Sequence, residues 1–202
     1  MAALALSIKT GLPPPGDFFL AWVDEPLTGM LKETDVPFVL PAPDKDVSLV
    51  AEDADRVVGQ CATYKAVKYW TQIEALNPAR QNLSTRIFVA IHKKAVKAEQ
   101  DHLAQLREDP EKALHSAGMA VLSEYRGRRL GIAMRERQIA ICKENKMTTL
   151  FCSTTNSYSA ATVEPFGFVK IAEYSYGELA KELDHPDLAQ LNDSFTLWCL
   201  KV

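Results

Sequence analysis

The chain has 202 residues, 47% of them hydrophobic and 24% charged, and a formal net charge of −3. That length and apolar fraction exclude a disordered or fibrous chain and suit one well-buried domain. The acidic balance, with a pI near 5.8, excludes broad nucleic-acid binding, which needs a basic face neutralising many phosphates.

Residues 1–10 alternate loosely and predict a first strand, after which Gly11-Leu12-Pro13-Pro14-Pro15-Gly16 breaks regular structure. Asp17 caps a helix through an aromatic run containing Phe18, Phe19 and Trp22, which leads into Asp24-Glu25-Pro26-Leu27 and a second helical piece over residues 28–33. Residues 35–46 carry three prolines and predict an irregular connection. Residues 48–52 and 56–64 read as strands joined by Asp53-Ala54-Asp55, a hairpin whose second strand extends past Tyr64 toward Trp70. Residues 72–116 turn polar and helical and form an insertion before a central strand at residues 117–122. Within it, Asp109-Pro110 caps and starts a short helix.

The next helix places Leu130, Ala133, Met134 and Ile141 on one face, with Arg135, Glu136, Lys143 and Glu144 turned to solvent. A buried strand over residues 147–153 follows, then a helix over residues 156–164 stopped by Pro165, a strand at 169–176, a polar segment at 177–191 and a last strand at 194–202. The predicted plan is α/β: a mixed, mostly antiparallel sheet with helices on both faces, in three layers and one domain. Cys61, Cys142, Cys152 and Cys199 make no CxxC pair and no ligand cluster with the four histidines, which predicts reduced buried thiols and no metal. The apolar N-terminal residues are too few and lack a basic flank for a signal peptide, so a cytoplasmic protein that does not contact membranes is expected.

The most informative run is residues 121–133, where a strand passes through the basic, glycine-punctuated turn Tyr125-Arg126-Gly127-Arg128-Arg129-Leu130-Gly131 into a helix. Amides of such a turn and of the first helical residues have no internal partners and sit at the positive end of the helix dipole. With three arginines beside them they suit a pyrophosphate. The turn resembles the acyl-CoA loop of the GNAT N-acetyltransferases, Tyr-Arg-Gly-x-Gly-x-Gly/Ala, with Arg129 standing where the middle glycine usually stands. Two registers fit: Arg126 to Gly131, or Arg128, Gly131 and Ala133.

Further blocks narrow the resemblance to the insect-type arylalkylamine N-acetyltransferases. They are Asp24-Glu25-Pro26-Leu27 after an aromatic run, Glu136-Arg137, Glu144-Asn145, Tyr158-Ser159-Ala160 and Gly167-Phe168. From Tyr125 to Phe168 the spacing is kept without gaps, which supports the first register. Val163 stands where a tyrosine acid is usual.

The resemblance implies an acetyl-CoA-dependent transfer to the primary amine of a small arylalkylamine by direct attack, with Glu25 as base, Ser159 as proton donor to the thiolate and Thr155 in support. It places the thioester carbonyl at backbone amides near Ala120 and Val121. The pyrophosphate falls to the loop of Arg126, Gly127, Arg128, Arg129, Gly131 and Ile132, and the other half of the cofactor cleft to Asn156 and Tyr158. A monomer or homodimer is expected. Two alternatives stay open: a GNAT enzyme acting on a polyamine or peptide amine, and, given Arg129 and Val163, a non-catalytic acyl-CoA-binding protein.

Overall fold

The structure is a computed structural model that describes residues 6–10, 43–54, 56–76, 83–191 and 193–202. Glu25 and its aromatic neighbours Phe18, Phe19 and Trp22 lie outside the described residues. Seven strands form one sheet: β1 (Leu6–Thr10), β2 (Leu49–Asp53), β3 (Arg56–Lys65), β4 (Ala113–Val121), β5 (Thr149–Thr154), β6 (Val169–Ser175) and β7 (Ser194–Lys201). Their spatial order is β1-β2-β3-β4-β5-β7-β6. Every neighbouring pair is antiparallel except β4 and β5.

Five α-helices are described: α1 (Ala66–Ala75), α2 (Leu83–Leu106), α3 (Leu130–Glu144), α4 (Ser157–Ala160) and α5 (Tyr176–Glu182). The sheet separates two cores. On one face Leu130, Met134 and Ile141 of α3 meet Leu49, Leu114 and Leu150. On the other, Tyr69 and Ile73 of α1 and Val96 and Leu103 of α2 meet Tyr64, Ala113 and Phe151. This is the predicted three-layer mixed sheet. All four cysteines are free and buried, and burial pushes the Cys142 and Cys199 thiols up to about 12.

Four local expectations are corrected. The hairpin strand does not continue toward Trp70: helix α1 begins at Ala66 and buries Ala66, Tyr69, Trp70 and Ile73, a helical i, i+3, i+4, i+7 set that outweighs the β preference of its aromatics. The central strand begins at Ala113 rather than Ala117, its polar His115 and Ser116 being fully buried and hydrogen-bonded. Arg135 does not face solvent but is 1% exposed. The helix expected over residues 156–164 is the single turn of α4, because Pro165 has no N–H for the Ala161 carbonyl and its ring crowds that carbonyl. Asp109 caps its short helix as expected, accepting from the Glu111 N–H at 3.0 Å. Among the described residues no helix is long and apolar enough to cross a membrane.

Candidate functional site

β4 pairs with β5 only from Ala113 to Ser116, opposite Thr149 to Cys152. Beyond Ser116 each strand keeps its outer partner, β4 with β3 through Val121 and β5 with β7 through Thr154, but the two part from each other. A cleft of about 890 Å³ opens at this fork. The ladder between β3 and β4 slips by one residue, Ala62 facing Gly118 and Thr63 facing Ser116, so Ala117 is an extra residue that bends β4 at the fork.

The open edge of β4 supplies backbone donors. Leu122 gives its N–H to Val58 of β3 at 3.0 Å. Alternation along the strand then turns the Ala120 N–H to β3 and those of Met119 and Val121 to the open side. Ala120 and Val121 both line the cleft, and the donors turned toward it are those of Val121 and Met119.

The turn leaving β4 is tied down on its outer side. The Tyr125 hydroxyl donates to Asp53 at 2.8 Å and Arg56 pairs with Glu124 at 2.8 Å. The carboxylate of Asp53 holds the Tyr125 phenol above its usual pKa. Gly127 takes φ +75°, which glycine tolerates. Arg129, the N-cap of α3, takes φ 61°, a left-handed conformation at the position where the motif usually carries glycine, with a side chain bearing the strain.

The first intrahelical bond runs from Ala133 N–H to Arg129 O, leaving the amides of Leu130, Gly131 and Ile132 ahead of the helical ladder. Arg126, Gly127, Arg129, Gly131 and Ile132 line the cleft. Arg128 instead folds back over the Tyr125 ring at 5.0 Å and donates to the Glu124 carbonyl. A Cβ at Gly131 would lie 3.2 Å from the Thr162 methyl, so the start of α3 approaches the segment after α4 closely enough that any larger residue would have to push Thr162 aside.

The far wall is the start of α4. Asn156 is its N-cap in a capping box with Ser159. Ser159 Oγ accepts the N–H groups of Thr155 at 3.1 Å and Asn156 at 3.2 Å and donates to the Asn156 carbonyl at 2.9 Å. Thr155, Asn156, Tyr158 and Ser159 line the cleft together, and Tyr158 is 88% exposed. Val163 is fully buried in the core beside α3, and its apolar side chain offers the cleft no acid.

Sequence reasoning missed two groups of cleft residues. One is a helix face, Ile87, Phe88, Ile91 and His92 of α2, joined by Phe195 of β7; their i, i+4 pairs were the available signal. The other is Arg135, which bridges the two strands where they part, donating to Ser116 Oγ at 3.0 Å and Cys152 Sγ at 2.9 Å, and also to Gln138. Its Nε is buried without a partner. No group of three or more His, Cys, Asp or Glu placed to hold a metal ion occurs among the described residues.

No protein-family model and no curated protein matches the sequence. Solved structures do match. A Drosophila melanogaster polyamine N-acetyltransferase, described as forming N-acetylagmatine, is 16% identical over 98% of this chain and 100% of its own, with a TM-score of 0.67. Arylalkylamine N-acetyltransferase 2 from Aedes aegypti is 15% identical over 98% and 99%, also at 0.67. A mosquito arylalkylamine N-acetyltransferase-like protein 5b is 17% identical over 77% and 74%, at 0.58. With its sheet order and its forked β4 and β5, this chain has the fold of the GNAT N-acetyltransferases.

Proposed function

We propose that the protein is an acetyl-CoA-dependent N-acetyltransferase acting on small arylalkylamines. One observation carries the reading: a strand edge whose Met119 and Val121 amides are unpaired among the described residues runs from the fork to a helix N-terminus whose first amides are likewise unpaired among them. A slender chain bearing amides fits along the edge, a pyrophosphate fits the helix start, and a thioester carbonyl between them receives donors placed before charge develops.

Reaction joins the amine nitrogen to the acetyl carbon and breaks the carbon–sulfur bond, whose electron pair leaves on sulfur. An aliphatic ammonium ionises near pH 10, so a base must take its proton first. Glu25, outside the described residues, is assigned that role by motif. Ser159 is assigned the donation to the departing thiolate. Two amides pointing at its oxygen stabilise negative charge there and hold the oxygen while the O–H turns from the Asn156 carbonyl to sulfur. Thr155 contributes one of those amides.

For the acceptor, the wall of Ile87, Phe88, Ile91 and Phe195 is apolar, and Asp193 is the only carboxylate among the described residues lining the cleft. That suits an aromatic ring better than a chain of ammonium groups. The test is turnover of tyramine, dopamine, serotonin and spermidine with acetyl-CoA. Arylalkylamine turnover is expected; turnover of spermidine alone supports the polyamine reading, and CoA binding with no turnover on any amine overturns the enzyme. Glu25→Ala should lower kcat most at low pH and leave CoA affinity nearly intact, whereas an unchanged pH–rate profile removes Glu25 as the base.

A further inference from the structure

The α2 wall carries a histidine that the transfer chemistry does not use. His92 is 5% exposed and lines the cleft. Its ring stacks on Phe88, with centroids 3.8 Å apart, and stands edge-on to Phe195 at 5.5 Å. Its Nδ1 is hydrogen-bonded to the hydroxyl of Tyr69, a fully buried residue of α1. Behind the pair, His115 of β4 stacks on Tyr69 at 3.8 Å. Glu99 of α2 takes His115 Nδ1 on one carboxylate oxygen at 2.6 Å and Trp70 Nε1–H on the other at 2.7 Å.

Which nitrogen of His92 carries the proton follows from hydrogen-bond satisfaction. Burial, reinforced by the charge of Glu99, holds the Tyr69 phenol well above its ordinary pKa, so it keeps its proton. A buried hydroxyl must donate, and the acceptor it touches is His92 Nδ1. A neutral imidazole has one N–H, which is then on Nε2. Burial first, and His115 second, hold His92 well below the usual histidine pKa, so the ring is uncharged throughout the neutral range. The wall thus presents a fixed, neutral N–H donor framed by hydrocarbon.

We propose that His92 Nε2–H is a specificity-determining donor that receives the oxygen of a ring hydroxyl, so that the preferred acceptors are phenolic arylalkylamines. This rests on the arylalkylamine reading above and refines it. The apolar frame of Phe88, Ile87, Ile91 and Phe195 takes the ring, and the donor takes the one oxygen on it. A ring without that oxygen leaves a desolvated N–H unpaired, and a second ammonium at this wall meets the positive end of an N–H dipole framed by hydrocarbon.

The experiment compares kcat/KM for tyramine and phenethylamine, which differ by the ring hydroxyl, at saturating acetyl-CoA. The wild-type protein is expected to favour tyramine by about ten- to a hundredfold. His92→Phe should bring the ratio near one by lowering tyramine while phenethylamine turnover persists, which also shows that the variant is folded. Tyr69→Phe frees the imidazole to move its proton to Nδ1 and should reduce the ratio part of the way. A wild-type ratio near one, or a ratio that neither substitution changes, overturns the proposal. If both variants fail to fold, competition of the two amines for the wild-type protein with CoA bound decides it, equal affinities being the overturning result. Equal turnover of both amines sinks only the role of His92; turnover of spermidine with neither aromatic amine sinks the arylalkylamine reading itself.

Discussion

The α3 end of the cleft and its α2 wall line one cavity but differ in almost every property. At the α3 end the groups offered are exposed backbone amides and cations, positioned by two residues with positive φ, Gly127 and Arg129. On α2 the groups offered are buried side chains, positioned by aromatic stacking and by a hydroxyl-to-imidazole bond that water does not reach. The first surface recognises charge and loses strength with salt; the second recognises shape and one hydrogen bond and is indifferent to salt. A ligand spanning both is read by two independent chemistries.

Breaking the α2 side has the largest expected effect. Phe88→Ala removes a ring from the core and should cost about 3–5 kcal/mol in denaturant unfolding, while raising the KM for the amine and leaving CoA affinity unchanged. If CoA affinity falls in step with the amine, the two walls are not independent. A smaller effect of opposite sign belongs to the α3 side. Arg129→Gly relieves a left-handed side chain and should raise stability by about 1 kcal/mol, while making CoA affinity lower and less dependent on salt. An unaltered salt dependence would take Arg129 away from the phosphates.

The smallest effect is a pH dependence that only the α2 side should show. His92 ionises near 6.5 when unfolded and well below that when folded, so at intermediate pH the unfolded chain binds more protons. Stability should therefore fall as pH drops below about 6.5, and His92→Phe should flatten that slope in urea unfolding. Glu124 and Glu144, whose lowered carboxyl pKa values also destabilise the fold in acid, act only below about 4.5. An identical slope in both proteins above that range would refute a buried neutral His92.

The same contrast explains what the sequence disclosed. The α3 side depends on backbone geometry, and backbone geometry leaves a compact trace in glycines and adjacent arginines, so the turn, the hairpin and the sheet plan were legible. The α2 side depends on which helix faces meet in space. His92 and Glu99 share a face of α2 at i, i+7, but nothing in the sequence pairs that face with Tyr69, Trp70 or His115, and buried polar residues read as exposed ones until their partners are known. Arg135 was misread for that reason, and the start of β4 was misread because His115 and Ser116 look like loop residues. Helix α1 was legible in principle, since Ala66, Tyr69, Trp70 and Ile73 keep helical spacing, but its aromatic content argued for a strand.

The short ladder between β4 and β5 has one more consequence. Past Ser116 it leaves the middle of the sheet with an edge that is free among the described residues, the kind of surface that proteins normally blunt or cover because any passing strand could add to it. Here the start of α3 and the α4 segment line the cleft beside that edge. A thin flexible chain carrying its own amides can lie along such an edge as a strand would. The molecule thus turns the hazard of an open edge inward, to a cleft where a ligand's own amides can take the place of a neighbouring strand.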